Sequence, residues 1–174
     1  MKWLLVLRLI ISISIISANV TSDSMNELLK RGDRVIAIKD AFVSDYNRYD
    51  VIIFKNPLNN NELYIKRIIG MPGEKIVIEN GNIYINDSKV PLEEKYLSKE
   101  WVVDNDGYTF YVPEDAFLVL GDNRNNSEDS RYWEEIAIKE GNAQNIEDVK
   151  RYIYIYIRKE NIYAKMLFKI SFLE

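Results

Sequence analysis

The chain has 174 residues with no cysteine and no histidine. Those zeros remove disulfide scaffolds, thiol nucleophiles, thiolate metal sites and every catalytic triad or metalloprotease motif built on imidazole. An apolar fraction of 47% can build a real core, while a net charge of −4, from 23 basic and 27 acidic residues, disfavours bulk attraction to nucleic acid.

If the chain is an enzyme, acid–base work falls to Asp, Glu, Lys or Tyr. A Ser or Thr nucleophile then needs an unusual base, and Lys is the main candidate. The length suits one domain, or one domain plus an anchor.

Residues Trp3 to Val20 are apolar or small apart from Arg8. As a helix this run spans about 27 Å at roughly 1.5 Å per residue, close to the thickness of a bilayer core. Arg8 is near enough to the start to snorkel to the cytoplasmic headgroups beside Lys2, which places the rest of the chain outside. Three readings fit: an uncleaved anchor over 1–20, a cleavable signal peptide with small residues at Ser17–Ala18, or a buried core helix.

Beyond Val20 come short β-rich runs: Arg34–Lys39, Asp50–Phe54, Leu63–Ile69, Lys75–Glu79, Asn82–Asn86, Thr109–Val112 and Ala116–Leu120. Turn signals separate them, including Asn56-Pro57, Pro72-Gly73 and Asn80-Gly81. Asn80-Gly81 predicts a type I′ hairpin, since both residues tolerate positive φ. The spacing predicts a mostly β domain over 21–174, an antiparallel sheet or partly open, barrel-like arrangement. Glu134–Val149 reads as helical or irregular and acidic, and Arg151–Arg158 alternates Tyr and Ile as a two-faced strand would.

Three segments carry candidate chemistry. Ser24 follows the apolar run by four residues, where a serine is either a nucleophile or an ordinary loop residue. Lys66 lies inside Leu63–Ile69, whose period-two pattern puts Lys66 on one face and Arg67 on the other, each between apolar neighbours. That pattern fits an edge strand guarded by lysine. It also fits a desolvated lysine whose lowered pKa lets the neutral amine take a proton from a hydroxyl. The polar segment Gly121–Trp133 follows an apolar strand and is dense in Asn, Asp, Ser and Arg. It is either a solvated loop or a hydrogen-bonded network that holds a site.

Together these segments resemble the bacterial type I signal peptidases, membrane-anchored serine proteases with a Ser–Lys dyad. Ser24-Met25 resembles the nucleophile box and Asp50–Phe54 the strand motif after it. Tyr64–Glu74 resembles the base-lysine box. Gly121–Arg124, with Ser127, Asp129–Arg131 and Tyr132-Trp133, resembles the last box, and Asn161–Lys165 the closing strand.

The resemblance implies Ser24 as nucleophile, Lys66 as general base, Ser22 as oxyanion donor and Ser127 as the hydroxyl that hydrogen-bonds the lysine. It implies Met25 at the substrate and Arg67, Asp122, Asp129 and Arg131 as supports of the site. It also implies an anchor rather than a cleavable leader, a peptidase domain on the extracytoplasmic side of the cell membrane, and neither metal nor cofactor. The implied partners are the signal peptides of exported preproteins, cut after small residues, and the lipid bilayer; nucleic acid is not among them, and the chain is expected to be a monomer. A binding-only descendant, or a peptidase dedicated to a few substrates such as pilin precursors, are the alternatives.

The chain departs from the family pattern in two boxes. Asn26-Glu27-Leu28 stands where the family has Pro-Thr or a close relative, and Glu134 where a glycine is common. The stretch 134–156 is longer than expected and reads as an acidic insertion.

Overall fold

Strands form where the β-rich runs lie: some, such as Lys75–Glu79, alternate residues between two faces, and others, such as Ala116–Leu120, are apolar throughout. The computed structural model describes residues 3, 14–140 and 152–171. In chain order these form β1 (Ile15–Asn19), β2 (Arg34–Lys39), β3 (Val51–Lys55), β4 (Leu63–Gly70), β5 (Lys75–Glu79), β6 (Asn82–Ile85), β7 (Tyr108–Tyr111) and β8 (Ala116–Leu120). They continue with α1 (Trp133–Lys139), α2 (Tyr152–Ile155), β9 (Ile157–Arg158) and β10 (Ile162–Ile170).

Two antiparallel sheets result. One has seven strands in the order β1-β2-β10-β3-β4-β8-β9, and the other has three in the order β6-β5-β7. The larger sheet is open, with β1 and β9 as its edges, so the barrel-like expectation becomes a pair of open sheets. The hairpin at Asn80-Gly81 is present, with φ of 48° and 74° and Glu79 opposite Asn82.

β8 is buried along its whole length, and three apolar clusters pack around the sheets. One cluster positions the site. Met25 and Leu29, both 0% exposed, drive the turn after β1 into Val35, Ala37, Val51 and Ile53 of the large sheet. Fully burying each such side chain is worth about 1.5–3 kcal/mol. The turn itself is closed by Leu29 N–H donating to the Met25 carbonyl at 2.6 Å.

Two expectations are corrected. The anchor was drawn to residue 20, but Ile15–Asn19 is a strand paired with β2, from Ile15 opposite Ile38 to Asn19 opposite Arg34. An apolar run does not by itself separate a helix from a strand, and here pairing with β2 at the sheet edge decides. Of residues 1–14 only 3 and 14 are described; the rest of the expected anchor lies outside the described residues. Among those described, no helix is long and apolar enough to cross a membrane.

The strand expected over Arg151–Arg158 is instead α2 followed by the two residues of β9. Tyr154 and Ile157 serve one apolar cluster and Ile155 and Tyr156 another, a division that a single two-faced strand does not make. Residues 141–151, the middle of the expected insertion, also lie outside the described residues.

Candidate active site

The fold brings Ser24 and Lys66 together across 42 positions of chain. Lys66 Nζ lies 2.7 Å from Ser24 Oγ, and both residues are buried. Lys66 is held there by its register: it faces Ile52 of β3, one residue before β8 begins to pair with the other side of β4. Its ammonium also lies 5.3 Å from the centre of the Tyr64 ring. Burial drives the Lys66 pKa down from 10.5 to about 8, against the opposing pull of Asp129, Glu128 and Asp122. Near that pH the amine is available as a base, and the Ser24 hydroxyl then donates to it.

Ser22 is exposed, lines the same cleft as Lys66, and its Oγ lies 3.3 Å from Ser24 Oγ. The cleft has a volume of about 480 Å³. Ala18, Val20, Val35, Ile53, Leu63 and Ile65 supply apolar walls, and Ser22, Ser24 and Lys66 open into it.

The Gly121–Trp133 loop is a network, and it clamps the turn that carries Ser24. Asn123 N–H donates to the Ser24 carbonyl at 2.9 Å, and its side-chain amide donates to the Asp23 carbonyl at 3.0 Å. Asp122 N–H donates to Met25 Sδ. Asp122 also accepts Arg67 Nε and Nη2 at 2.7 and 2.5 Å, so the strand that carries Lys66 and the loop that holds Ser24 share one bidentate ion pair. Arg67 therefore points away from Lys66 and supports the fold, as its strand parity predicts.

Asp129 is wholly buried. It accepts Arg131 Nε and Nη2 at 2.9 and 3.0 Å and the Gly121 N–H at 3.0 Å. Burial alone would raise its pKa, but the Arg131 guanidinium and these donors hold the carboxyl below the ordinary range.

Two expected roles fit less well. Met25, expected at the substrate, is 0% exposed and packs in the core beneath the turn rather than lining the cleft. Ser127 is buried next to Gly121, yet its Oγ makes no hydrogen bond among the described residues, so the expected contact with Lys66 is not made.

Sequence reasoning passed over Glu94, which forms a bidentate pair with buried Arg124 at 2.8 and 2.5 Å. It also gave no individual role to Asn123. Glu94 stands in a charged loop that looks solvated, and nothing in its neighbours marks it. Asn123 lay inside a recognised box and could have been found there.

Gly121 allows the loop to close on the nucleophile. A Cβ at this position would overlap the Ser127 side chain and come within 2.6 Å of the Ser24 carbonyl. Gly121→Ala is expected to lower the melting temperature by several degrees, since overpacking costs about 1–3 kcal/mol, and to reduce turnover at least tenfold. Thermal unfolding and cleavage assays check both; a variant with wild-type activity would show that the contact is slack.

Residues 1–163 match the family described as signal peptidase, peptidase S26. A probable signal peptidase I-2 of Synechocystis is 37% identical over 124 residues, covering 66% of this chain and 53% of the relative. A signal peptidase I of Leptolyngbya laminosa is 39% identical over 127 residues, covering 66% and 58%. The chain thus spans little more than half the length of these relatives. A solved signal peptidase I from Enterococcus faecalis is 27% identical, with a TM-score of 0.48 over 69% of this chain and 95% of that one.

Proposed function

The chain belongs to the signal peptidase family, peptidase S26, and from that premise we propose that it is a Ser–Lys endopeptidase that removes signal peptides from exported preproteins. The observation that carries the reading is the 2.7 Å contact between a buried, pKa-lowered Lys66 and Ser24 at the wall of an apolar cleft.

The substrate enters as an extended chain. β4 pairs with β3 from Leu63, but with β8 only from Arg67 onward, so the second edge of Leu63–Lys66 has no strand partner among the described residues and can hydrogen-bond a peptide. The apolar walls beside that edge suit small side chains flanking the scissile bond.

Neutral Lys66 takes the hydroxyl proton as Ser24 Oγ bonds to the scissile carbonyl carbon. The carbonyl π electrons move to oxygen, and the oxyanion is met by the Ser22 hydroxyl and the Ser24 N–H. Removing one such donor typically costs about 10²–10³ in rate. On collapse the C–N bond breaks, and the Lys66 ammonium returns its proton to the departing amine. A water then gives a proton to Lys66 and attacks the Ser24 ester, which releases the signal peptide as a carboxylate and restores the serine.

Membrane anchorage belongs to the same reading. The apolar stretch ahead of β1, with Lys2 and Arg8 near its start, supports attachment at the cell membrane with the catalytic domain outside. A serine held near the outer surface meets a signal peptide as it leaves the bilayer, which raises its effective concentration.

The test is cleavage of a labelled preprotein with an Ala-x-Ala site by the full-length protein in liposomes, read across pH. A base that titrates near 8 is about one-tenth neutral at pH 7 and about nine-tenths neutral at pH 9. The rate should therefore rise about tenfold over that interval. A flat profile from pH 6 to 9 would remove Lys66 as the base, and no cleavage at any pH would remove the peptidase reading.

A further inference from the structure

Glu27 lies three residues after Ser24, at the place where the family pattern carries its Pro-Thr pair. A solvated glutamate would be the ordinary expectation there. Instead its side chain is only 7% exposed and reaches across to the loop between β6 and β7. Oε2 accepts the Ser98 N–H at 3.2 Å and the Ser98 hydroxyl, and Oε1 lies 3.6 Å from Lys99 Nζ.

That loop is itself fixed to the segment that clamps the nucleophile. Glu94 pairs with Arg124, Asn125 Oδ1 accepts the N–H groups of Val102 and Val103, and the Asn125 amide donates to the Glu100 carbonyl. Three segments therefore brace one another. The nucleophile turn is held on one side by Asn123 and on the other by Glu27, and the two holding loops are joined.

We infer that Glu27 is a positioning residue for Ser24, a side-chain strap to Ser98 and Lys99 that holds the nucleophile turn in place of the backbone restraint that a proline would supply. This rests on Ser24 being the nucleophile. A proline at 27 would cost no backbone hydrogen bond, because the residue-27 N–H donates to no acceptor among the described residues, and the φ there is not positive.

The test compares the rate at which an active-site acylating probe labels Ser24, and kcat and KM for a preprotein, in full-length wild type, Glu27→Ala, Glu27→Gln, Glu27→Pro and Ser98→Ala. Misplacement of a reacting group by about 1 Å costs on the order of 10²-fold. Glu27→Ala should therefore slow labelling and kcat by about tenfold to a hundredfold, with KM changed by less than about twofold.

Glu27→Gln keeps an acceptor for Ser98 and should retain most of the rate. Glu27→Pro should recover at least half of the loss in Glu27→Ala, a rescue that general stabilisation by a surface contact does not produce. Ser98→Ala should slow labelling by itself and add nothing to Glu27→Ala, as coupled partners do. It sits at an exposed position and carries the test if Glu27→Ala does not fold.

Wild-type labelling by folded Glu27→Ala, additive losses with Ser98→Ala, or no recovery in Glu27→Pro would each overturn the strap. Absence of labelling in the wild type would instead overturn the nucleophile assignment on which it rests.

Discussion

Lys66→Met is expected to abolish preprotein cleavage and, at pH 7, to raise the melting temperature. The activity loss should be at least about 10³-fold, because a general base contributes about 10²–10⁴ and a nucleophile without its base fails as a unit. The gain in stability has a separate cause. Lys66 is buried, and its pKa falls from 10.5 to about 8 on folding. The folded chain therefore binds that proton more weakly than the unfolded chain.

Between pH 8 and 10.5 the unfolded state holds more protons, so folding stability rises with pH across that window. Below pH 8 the charged lysine imposes its full cost, about 3 kcal/mol for a shift of this size. Methionine fills similar space without the charge, at the loss of one hydrogen bond to Ser24 worth about 1 kcal/mol. The net should be about 2 kcal/mol, or on the order of 5 °C. Melting curves for both proteins at pH 7 and pH 10.5 decide the matter, since the gap should shrink at the higher pH. A variant less stable than wild type at pH 7 would mean that Lys66 is not buried at a cost.

Asp129→Ala is expected to have the largest effect on stability. It leaves the Arg131 guanidinium without its bidentate partner at a position where both side chains are 0% exposed, and it also leaves the Gly121 N–H unpaired. Breaking a buried pair in this way costs about 3–5 kcal/mol, so a fall in melting temperature on the order of 10 °C is expected.

Its pH dependence follows from the lowered pKa of Asp129. A carboxyl titrating below 3.8 contributes stability at neutral pH and loses it as pH falls through the folded value. The difference between variant and wild type should thus be wide at pH 7 and begin to narrow only as pH falls below 3.8. Asp129→Asn, which keeps the shape, provides a second reading. Asp129 is among the anions that raise the Lys66 pKa, so its loss should move the acid limb of the activity profile to lower pH. An unshifted limb in a folded variant would separate Asp129 from the base.

Most strands were legible because their residues alternate or are apolar throughout and their turns are marked. Arg34–Lys39, Lys75–Glu79 and Ala116–Leu120 fall where the pattern put them. The site was legible only in part, for a physical reason. Period-two alternation placed one cation on each face of β4, but it could not say which face meets Ser24; only the pairing of β4 with β3 and β8 decides that. Met25, implied at the substrate, is instead an apolar peg beneath the turn. Glu27 stood out only as a departure from the family pattern and Glu94 not at all, because a charged residue in a loop looks solvated until its distant partner is known. The strand at Ile15–Asn19 was hidden inside an apolar run whose first residues suit a helix.

β1 has a bearing on how such an enzyme survives its own chemistry. Its Ser17 and Ala18 are small residues of the type that would mark a cleavable leader. Their backbone is committed to β2, with Ser17 opposite Ile36 and Ala18 opposite Val35. Just beyond, Val20 N–H donates to the Asp33 carbonyl at 2.8 Å and Gly32 N–H to the Val20 carbonyl at 2.9 Å, which closes the neck of the loop that carries Ser24. One edge of β1 is thus tied to β2, while its outer edge is the edge of the sheet and pairs with no strand among the described residues. To draw this segment into a cleft as an extended chain, a second copy would first have to peel β1 from its neighbour and open the neck. The ladder that presents Ser24 thus also ties down the chain just ahead of it.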